Sequence, residues 1–167
     1  MNWKTFSRDG LMNNNDILRR IRYIFDFNDT KMITVFRSAD TWVTREQVSD
    51  WLKKEDNPAY RELNDEMLAV FLDGLISEKR GQKSGSMRTP ETRLTNNIIF
   101  AKLKIALNLR SEDILALLDL ADFPLGKSEL SAFFRKPTHK HYRLCQDQVL
   151  RNFLIGMQLK YRDQDSA

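Results

Sequence analysis

Apolar residues recur along this chain at spacings of three and four, the signature of helices with one buried face. The first stripe carries Ile17, Leu18, Ile21, Ile24 and Phe25, and the second Met32, Ile33, Val35, Phe36 and Ala39. A short third stripe has Val48, Trp51 and Leu52, and a fourth has Met67, Leu68, Phe71, Leu72 and Leu75. Four more follow in the same order: Ile99, Phe100, Leu103, Ala106 and Leu107; Ile114, Leu115, Leu117, Leu118 and Ala121; Leu130, Phe133 and Phe134; and Val149, Leu150, Phe153, Leu154 and Met157. No segment alternates apolar and polar residues as a strand would. The pattern predicts an all-α protein.

The second set repeats the first. Residues 14–80 shifted by 82 positions fall on 96–162 without a gap, with 15 identities in 67 pairs, where this composition would give about four by chance. The expected organisation is an N-terminal extension over 1–13, a first helical repeat over 14–81, a linker over 82–95, a second repeat over 96–162 and a tail over 163–167. A unit of this size is marginal alone. The two four-helix repeats are therefore expected to pack as one pseudo-symmetric domain. The extension and tail lack a stripe and are expected to be disordered or frayed.

Polar residues mark the helix ends. Asn14 or Asn15, and Asn96 or Asn97, are candidate caps for the first helix of each repeat. Asn28-Asp29 and Ser111-Glu112-Asp113 open the second helix, where acids suit the dipole. Thr44 with Gln47 has capping-box spacing for the third, and Gly126 with Glu129 is a weaker version. Gly74 and Gly156 fall at matching places inside the fourth helix, where glycine costs about 1 kcal/mol relative to alanine. Their recurrence predicts a close helix contact there.

Charge separates the copies. Repeat one has eleven basic and thirteen acidic side chains, repeat two eleven and six, within a chain of net charge +4. No apolar run approaches the ~18 residues of a membrane span. The opening MNWKTFSRDGL has no apolar core of a secretory signal, and Cys145 has no second cysteine to pair with. Together these predict a cytoplasmic protein.

Three segments carry a family resemblance: MNNNDILRRIRYIFDFND, LKKEDNPAY and FRKPTHKHYRLCQDQVLRNFLIGM. They resemble the YehS-like bacterial family, whose domain of unknown function occurs in two tandem copies. The resemblance covers about residues 12–162 and implies a small cytoplasmic helical protein that begins near Met12, with residues 1–11 an upstream addition. It implies no activity.

The segment Arg135-Lys136-Pro137-Thr138-His139-Lys140-His141-Tyr142-Arg143 holds four permanent cations, two histidines and a tyrosine without an acid. Repeat one has Lys53-Lys54-Glu55-Asp56-Asn57-Pro58-Ala59-Tyr60-Arg61 there, diluted by two acids. Cations neutralise phosphates and release counterions, and an aromatic ring stacks on a base. Arg135, Lys136, His139, Lys140, His141, Tyr142 and Arg143, extended by Arg151, are the candidate binding residues for RNA, DNA or another anionic partner.

Other patterns are weaker. The second and third helices could form a helix-turn-helix presenting Arg45, Gln47, Ser49, Lys53 and Lys54, or Lys127, Ser128, Ser131, Arg135 and Lys136. Glu46 and Asp50 oppose phosphate there, and bundle packing is the preferred explanation. His139, His141, Cys145 and Asp147 make a poor metal set among cations, and Cys145 aligns with apolar Leu63. Tyr60-Arg61 with Asp65, and Tyr142-Arg143 with Asp147, are expected to be structural, the aspartate capping the fourth helix and the arginine pairing with it. No phosphate-binding loop or nucleophile motif is present. The sequence thus favours a non-catalytic module without cofactor or metal that engages nucleic acid. A protein–protein adaptor using exposed Trp3, Trp42 and Trp51 is the alternative, and an enzyme with a site between the repeats is the third.

Overall fold

A computed structural model describes residues 12–81 and 89–163. Among these, every regular element is helical. The first repeat forms α1 (Asn14–Phe25), α2 (Asp29–Arg37), α3 (Arg45–Leu52) and α4 (Asp65–Arg80). The second forms α5 (Asn96–Ala106), α6 (Ser111–Leu120), α7 (Lys127–Ala132) and α8 (Asp147–Gln158), the last continuing as a π-helical turn over Leu159–Asp163. The chain divides into two units, one from Asn13 to Leu94 and one from Thr95 onward. The expectations for residues 1–11, for 82–88 of the linker and for the tail beyond Asp163, Trp3 included, lie outside the described residues.

In unit one, α2 packs on α3 and α4, and α1 on α3 and α4. In unit two, α6 packs on α7 and α8, and α5 on α8. Each stripe supplies the core: Ile17, Leu18, Ile21, Met32, Val35, Phe36, Val48, Leu68 and Phe71 are buried, as are Ile99, Phe100, Leu103, Ile114, Leu117, Leu118, Leu130, Leu150 and Phe153. One ring sits at the centre of each aromatic cluster. In unit one it is Phe36, 5.5 Å from Trp51 and 5.2 Å from Phe71. In unit two it is Phe100, 4.6 Å from Phe153 and 5.0 Å from Phe134. Phe36 aligns with Leu118 and Phe100 with Leu18, so the two copies have exchanged which helix supplies the ring while conserving volume.

Gly74 on α4 lies against the backbone of α2, and Gly156 on α8 against that of α6. A Cβ on either would collide with a carbonyl oxygen, of Val35 or Leu117. The recurring glycines mark the close helix contact their positions predicted.

The caps differ in part from expectation. Asn13, not Asn14 or Asn15, caps α1, accepting from the Asp16 N–H at 2.8 Å, and Thr95 caps α5, accepting from the Ile98 N–H at 3.2 Å. Asn28 caps α2 as expected, accepting from the Lys31 N–H at 2.8 Å. Thr44 and Gln47 form the full reciprocal box, at 3.0 and 2.8 Å. At α7 the Gly126 N–H donates to Glu129 at 3.3 Å, half of that arrangement. Asn64, not Asp65, caps α4, accepting from the Met67 N–H at 2.8 Å.

The displaced asparagines have a larger task. Asn15 is buried and bonds the far end of its unit: its Nδ2 donates to the carbonyls of Trp51 and Arg61, both at 2.9 Å, and its Oδ1 accepts from the Leu63 N–H at 3.0 Å and the Tyr60 hydroxyl at 3.1 Å. Asn97 repeats this with the carbonyls of Phe133 at 3.0 Å and Arg143 at 2.7 Å, and the Cys145 N–H at 2.9 Å. Asn14 and Asn96 reach the same loops, donating to Asp65 at 2.8 Å and Asp147 at 2.6 Å. These asparagines occupy the role expected of Arg61 and Arg143, which make no ion pair among the described residues. The loop between the third and fourth helices is thereby tied to the start of the first helix in each unit.

Cys145 is buried (2% exposed) like its counterpart Leu63. Burial pushes its thiol up to about 12. The raised value means the folded state favours the protonated thiol. Stability is therefore full below the ordinary thiol range and falls as pH rises toward 12. A disulfide-exchange reagent at mildly alkaline pH is expected to label Cys145 only after denaturant unfolds its unit. Full labelling of the native protein within minutes would contradict that burial.

Candidate functional site

The loop joining α7 to α8 begins where α7 runs out of helix-forming sequence, at the Phe133-Phe134 pair. Its backbone is a chain of short turns. The His139 N–H donates to the Lys136 carbonyl at 2.9 Å, the Tyr142 N–H to the His139 carbonyl at 3.0 Å, and the Arg143 N–H to the Ala132 carbonyl at 3.2 Å. The loop of unit one has the same bonds: Asn57 to Lys54 and Tyr60 to Asn57 at 3.0 Å, and Arg61 to Asp50 at 3.2 Å. The two loops share one backbone design and differ in their side chains.

In unit one two of the cations around the loop meet acids. Lys53 Nζ lies 2.7 Å from Asp50, and Arg45 lies 3.5 Å from Asp29. Glu55 accepts from Asn13 at 2.9 Å. In unit two the positions of Asp50, Glu55, Asp56 and Glu62 hold Ala132, Pro137, Thr138 and Leu144. Arg135, Lys136, His139, Lys140, His141 and Arg143 are all exposed there, and none forms an ion pair among the described residues. Loss of carboxylates, rather than gain of cations alone, makes this surface positive.

Two of the candidate residues stand apart. Tyr142 is half-buried, like Tyr60, and presents only part of its ring. Arg151, on α8, is half-buried with its Nε and one Nη shielded from solvent, so it extends the exposed patch little.

The geometry of the second and third helices departs from a helix-turn-helix, the weaker of the two alternatives for them. The segment between α2 and α3 spans residues 38–44, longer than the ~3–4-residue turn of that motif. Helix α7 covers only Lys127–Ala132, so Arg135 and Lys136 lie beyond its end in the loop. Gln47 is engaged in its cap and Lys53 in its ion pair. Trp51, expected among the exposed aromatics, is a core residue at 5% exposure, whereas Trp42 is 73% exposed with the Arg37 guanidinium 4.8 Å from its ring centre. Among the described residues no three His, Cys, Asp or Glu side chains converge as a metal site, and no helix is long and apolar enough to cross a membrane.

The doubled loop and the doubled asparagine anchor agree with the match to known sequences. The family described as a protein of unknown function, DUF1456, matches residues 14–81 and again 96–163. The chain belongs to the DUF1456 family. This DUF1456 chain is also 42% identical over 147 residues to the uncharacterized protein YehS of Escherichia coli strain K12, an alignment covering 87% of the chain and 94% of YehS. No solved structure matches it.

Sequence reasoning missed one repeated feature of the DUF1456 units. Asp26 and Asn108 follow α1 and α5, and Asp40 and Asp122 follow α2 and α6, all four with left-handed backbone at φ 53–55°. Only Asn and Asp, besides glycine, enter that region readily. The pairing of Asp26 with Asn108 at the 82-residue shift was the available signal.

Proposed function

We propose that this DUF1456 protein is a non-catalytic binding module whose second unit engages RNA or DNA through backbone phosphates. The observation carrying this reading is the α7–α8 loop: four permanent cations within nine residues, all exposed and none in an ion pair among the described residues, on a scaffold whose first copy pairs Lys53 with Asp50 and has two acids in the same stretch. Exposed cations held on an anchored backbone attract a polyanion without needing to leave an internal partner. A lone buried thiol suits a reducing compartment, and we place this activity in the cytoplasm.

Charge reversal of Arg135, Lys136, Lys140 and Arg143 to glutamate is expected to abolish retention of mixed nucleic acid at low salt. The same reversal of Lys53, Lys54 and Arg61 in unit one is expected to leave retention near wild type. Binding by the unaltered protein should weaken steeply with salt, by about 0.7 (single strand) to 0.9 (duplex DNA) in log–log slope for each phosphate neutralised. Absence of any binding by the unaltered protein would end this reading. A second reading, a protein-binding adaptor, is favoured by Trp42, whose exposed indole stands at the end of α2. It predicts capture of a protein that survives nuclease and is lost on Trp42→Ala.

A further inference from the structure

The nucleic-acid reading leaves open which atoms of the loop hold a phosphate, and the two histidines supply a specific answer. The His141 N–H donates to His139 Nδ1 at 3.0 Å. A neutral imidazole carries one ring proton, so with Nδ1 accepting, that proton sits on Nε2. His139 Nε2 lies 3.4 Å from Arg135 Nη1. A guanidinium only donates. Two donors at that separation cannot satisfy each other, and both belong to exposed side chains.

The geometry points to an oxyanion site on the second unit, in which Arg135 Nη1 and His139 Nε2 form a two-donor fork for one phosphate oxygen. The inference rests on the nucleic-acid reading for its source of phosphate, a backbone diester; a free phosphate offers the same oxygen. Unit one shows what the loop looks like without the fork. Asn57 holds the place of His139, and its Oδ1 accepts from the Ala59 N–H at 2.9 Å, closing the same turn. Lys53 holds the place of Arg135, and its ammonium is turned to Asp50 at 2.7 Å and Ser49 at 3.4 Å. The first copy thus keeps the turn, but its cation is turned to an acid and its Asn57 amide is shorter than an imidazole. In the second, Ala132 replaces Asp50, so the guanidinium has no internal carboxylate to turn toward. Histidine performs the structural task of Asn57 with one nitrogen and leaves the other beside the Arg135 guanidinium.

The duplication provides the variant that tests this. His139→Asn installs the residue the first copy uses and preserves the turn, while its amide donor Nδ2 falls at the place of the imidazole Cδ2, one bond short of the position held by Nε2. Binding of a mixed-sequence RNA oligonucleotide is measured across a salt series, above the ordinary histidine titration range. Ring-nitrogen NMR of His139 is recorded as inorganic phosphate is added. The expected variant binds the oligonucleotide about tenfold more weakly, because a hydrogen bond to a charged group is lost. Its salt slope is unchanged, because no cation is removed. Arg135→Gln is expected to lower both the affinity and, by about 0.7 for a single strand, the slope. In the unaltered protein, Nε2 of His139 carries the proton and its resonance moves with phosphate. Oligonucleotide binding that is indifferent to His139→Asn, with no movement of the His139 signals, overturns the fork and leaves the nucleic-acid reading standing. Phosphate-induced movement without any oligonucleotide binding upholds the fork and overturns that reading. Silence in both measurements overturns both.

Discussion

Gly156→Ala is expected to lower stability by about 3 kcal/mol or more. Alanine in a helix interior is better than glycine by about 1 kcal/mol, so intrinsic propensity alone would make the change stabilising. Packing decides the sign. The new methyl would sit 2.6 Å from the Leu117 carbonyl carbon on α6 and closer still to its oxygen. The obstacle is backbone, which cannot swing aside as a side-chain tip can. Forcing extra carbon into a closed core costs about 1–3 kcal/mol, and more where the backbone must shift. Gly74→Ala is expected to behave alike, with the Val35 carbonyl on α2 as the obstacle. Urea unfolding followed by circular dichroism checks both. A variant as stable as the parent, or more so, would mean that α8 and α6 do not approach as described.

Asn97→Ala is the second large effect, expected at about 3–5 kcal/mol. Truncation strips the carbonyls of Phe133 and Arg143 and the amide of Cys145 of their partner in one step. Each buried group left unsatisfied costs about 1–3 kcal/mol, and water entering the vacated space recovers part of it. Asn152→Ala serves as comparison. Its Nδ2 donates to the Gln148 carbonyl at a solvent-exposed position, so its loss should stay within about 0.5 kcal/mol. Equal effects at Asn97 and Asn152 would show that the anchor does not hold the loop. If the anchor is real, Asn97→Ala should also impair any binding by the α7–α8 loop, because the bonded carbonyls lie at its two ends.

The helices were legible because apolar spacing is a local property. Ile17, Leu18 and Ile21, or Ile99, Phe100 and Leu103, declare a buried face without reference to the rest of the chain. The glycines were legible through repetition, since an unfavourable residue retained in both copies needs a steric reason, and the carbonyls of Val35 and Leu117 supply it. The exposed cations of the loop were also readable, as an acid-free run that keeps its charges apart from the core.

The asparagines were misassigned for a physical reason. Asn14 and Asn15 stand beside a helix start, where a short polar side chain commonly caps. Asn13 takes that task, and the next two residues bond loops 36 to 51 positions away. Such partners depend on tertiary placement that no local pattern encodes. Trp51 was read both as a member of the third stripe and as an exposed aromatic, and the stripe is what it follows: its ring lies tilted against Phe36 in the core. The Nε2 proton of His139 was invisible, because its tautomer follows from a bond made two residues along.

The exchange of Phe36 and Leu118 against Leu18 and Phe100 limits how the halves could trade parts. A hybrid bundle built from α5 and α2 would bring two central rings into space that each parent fills with one, and the reciprocal hybrid of α1 and α6 would bring none and leave a void. Such an exchange is expected to disturb the core, at residues that are fully buried in each unit. Each half is thus expected to pack best with its own helices rather than with their copies.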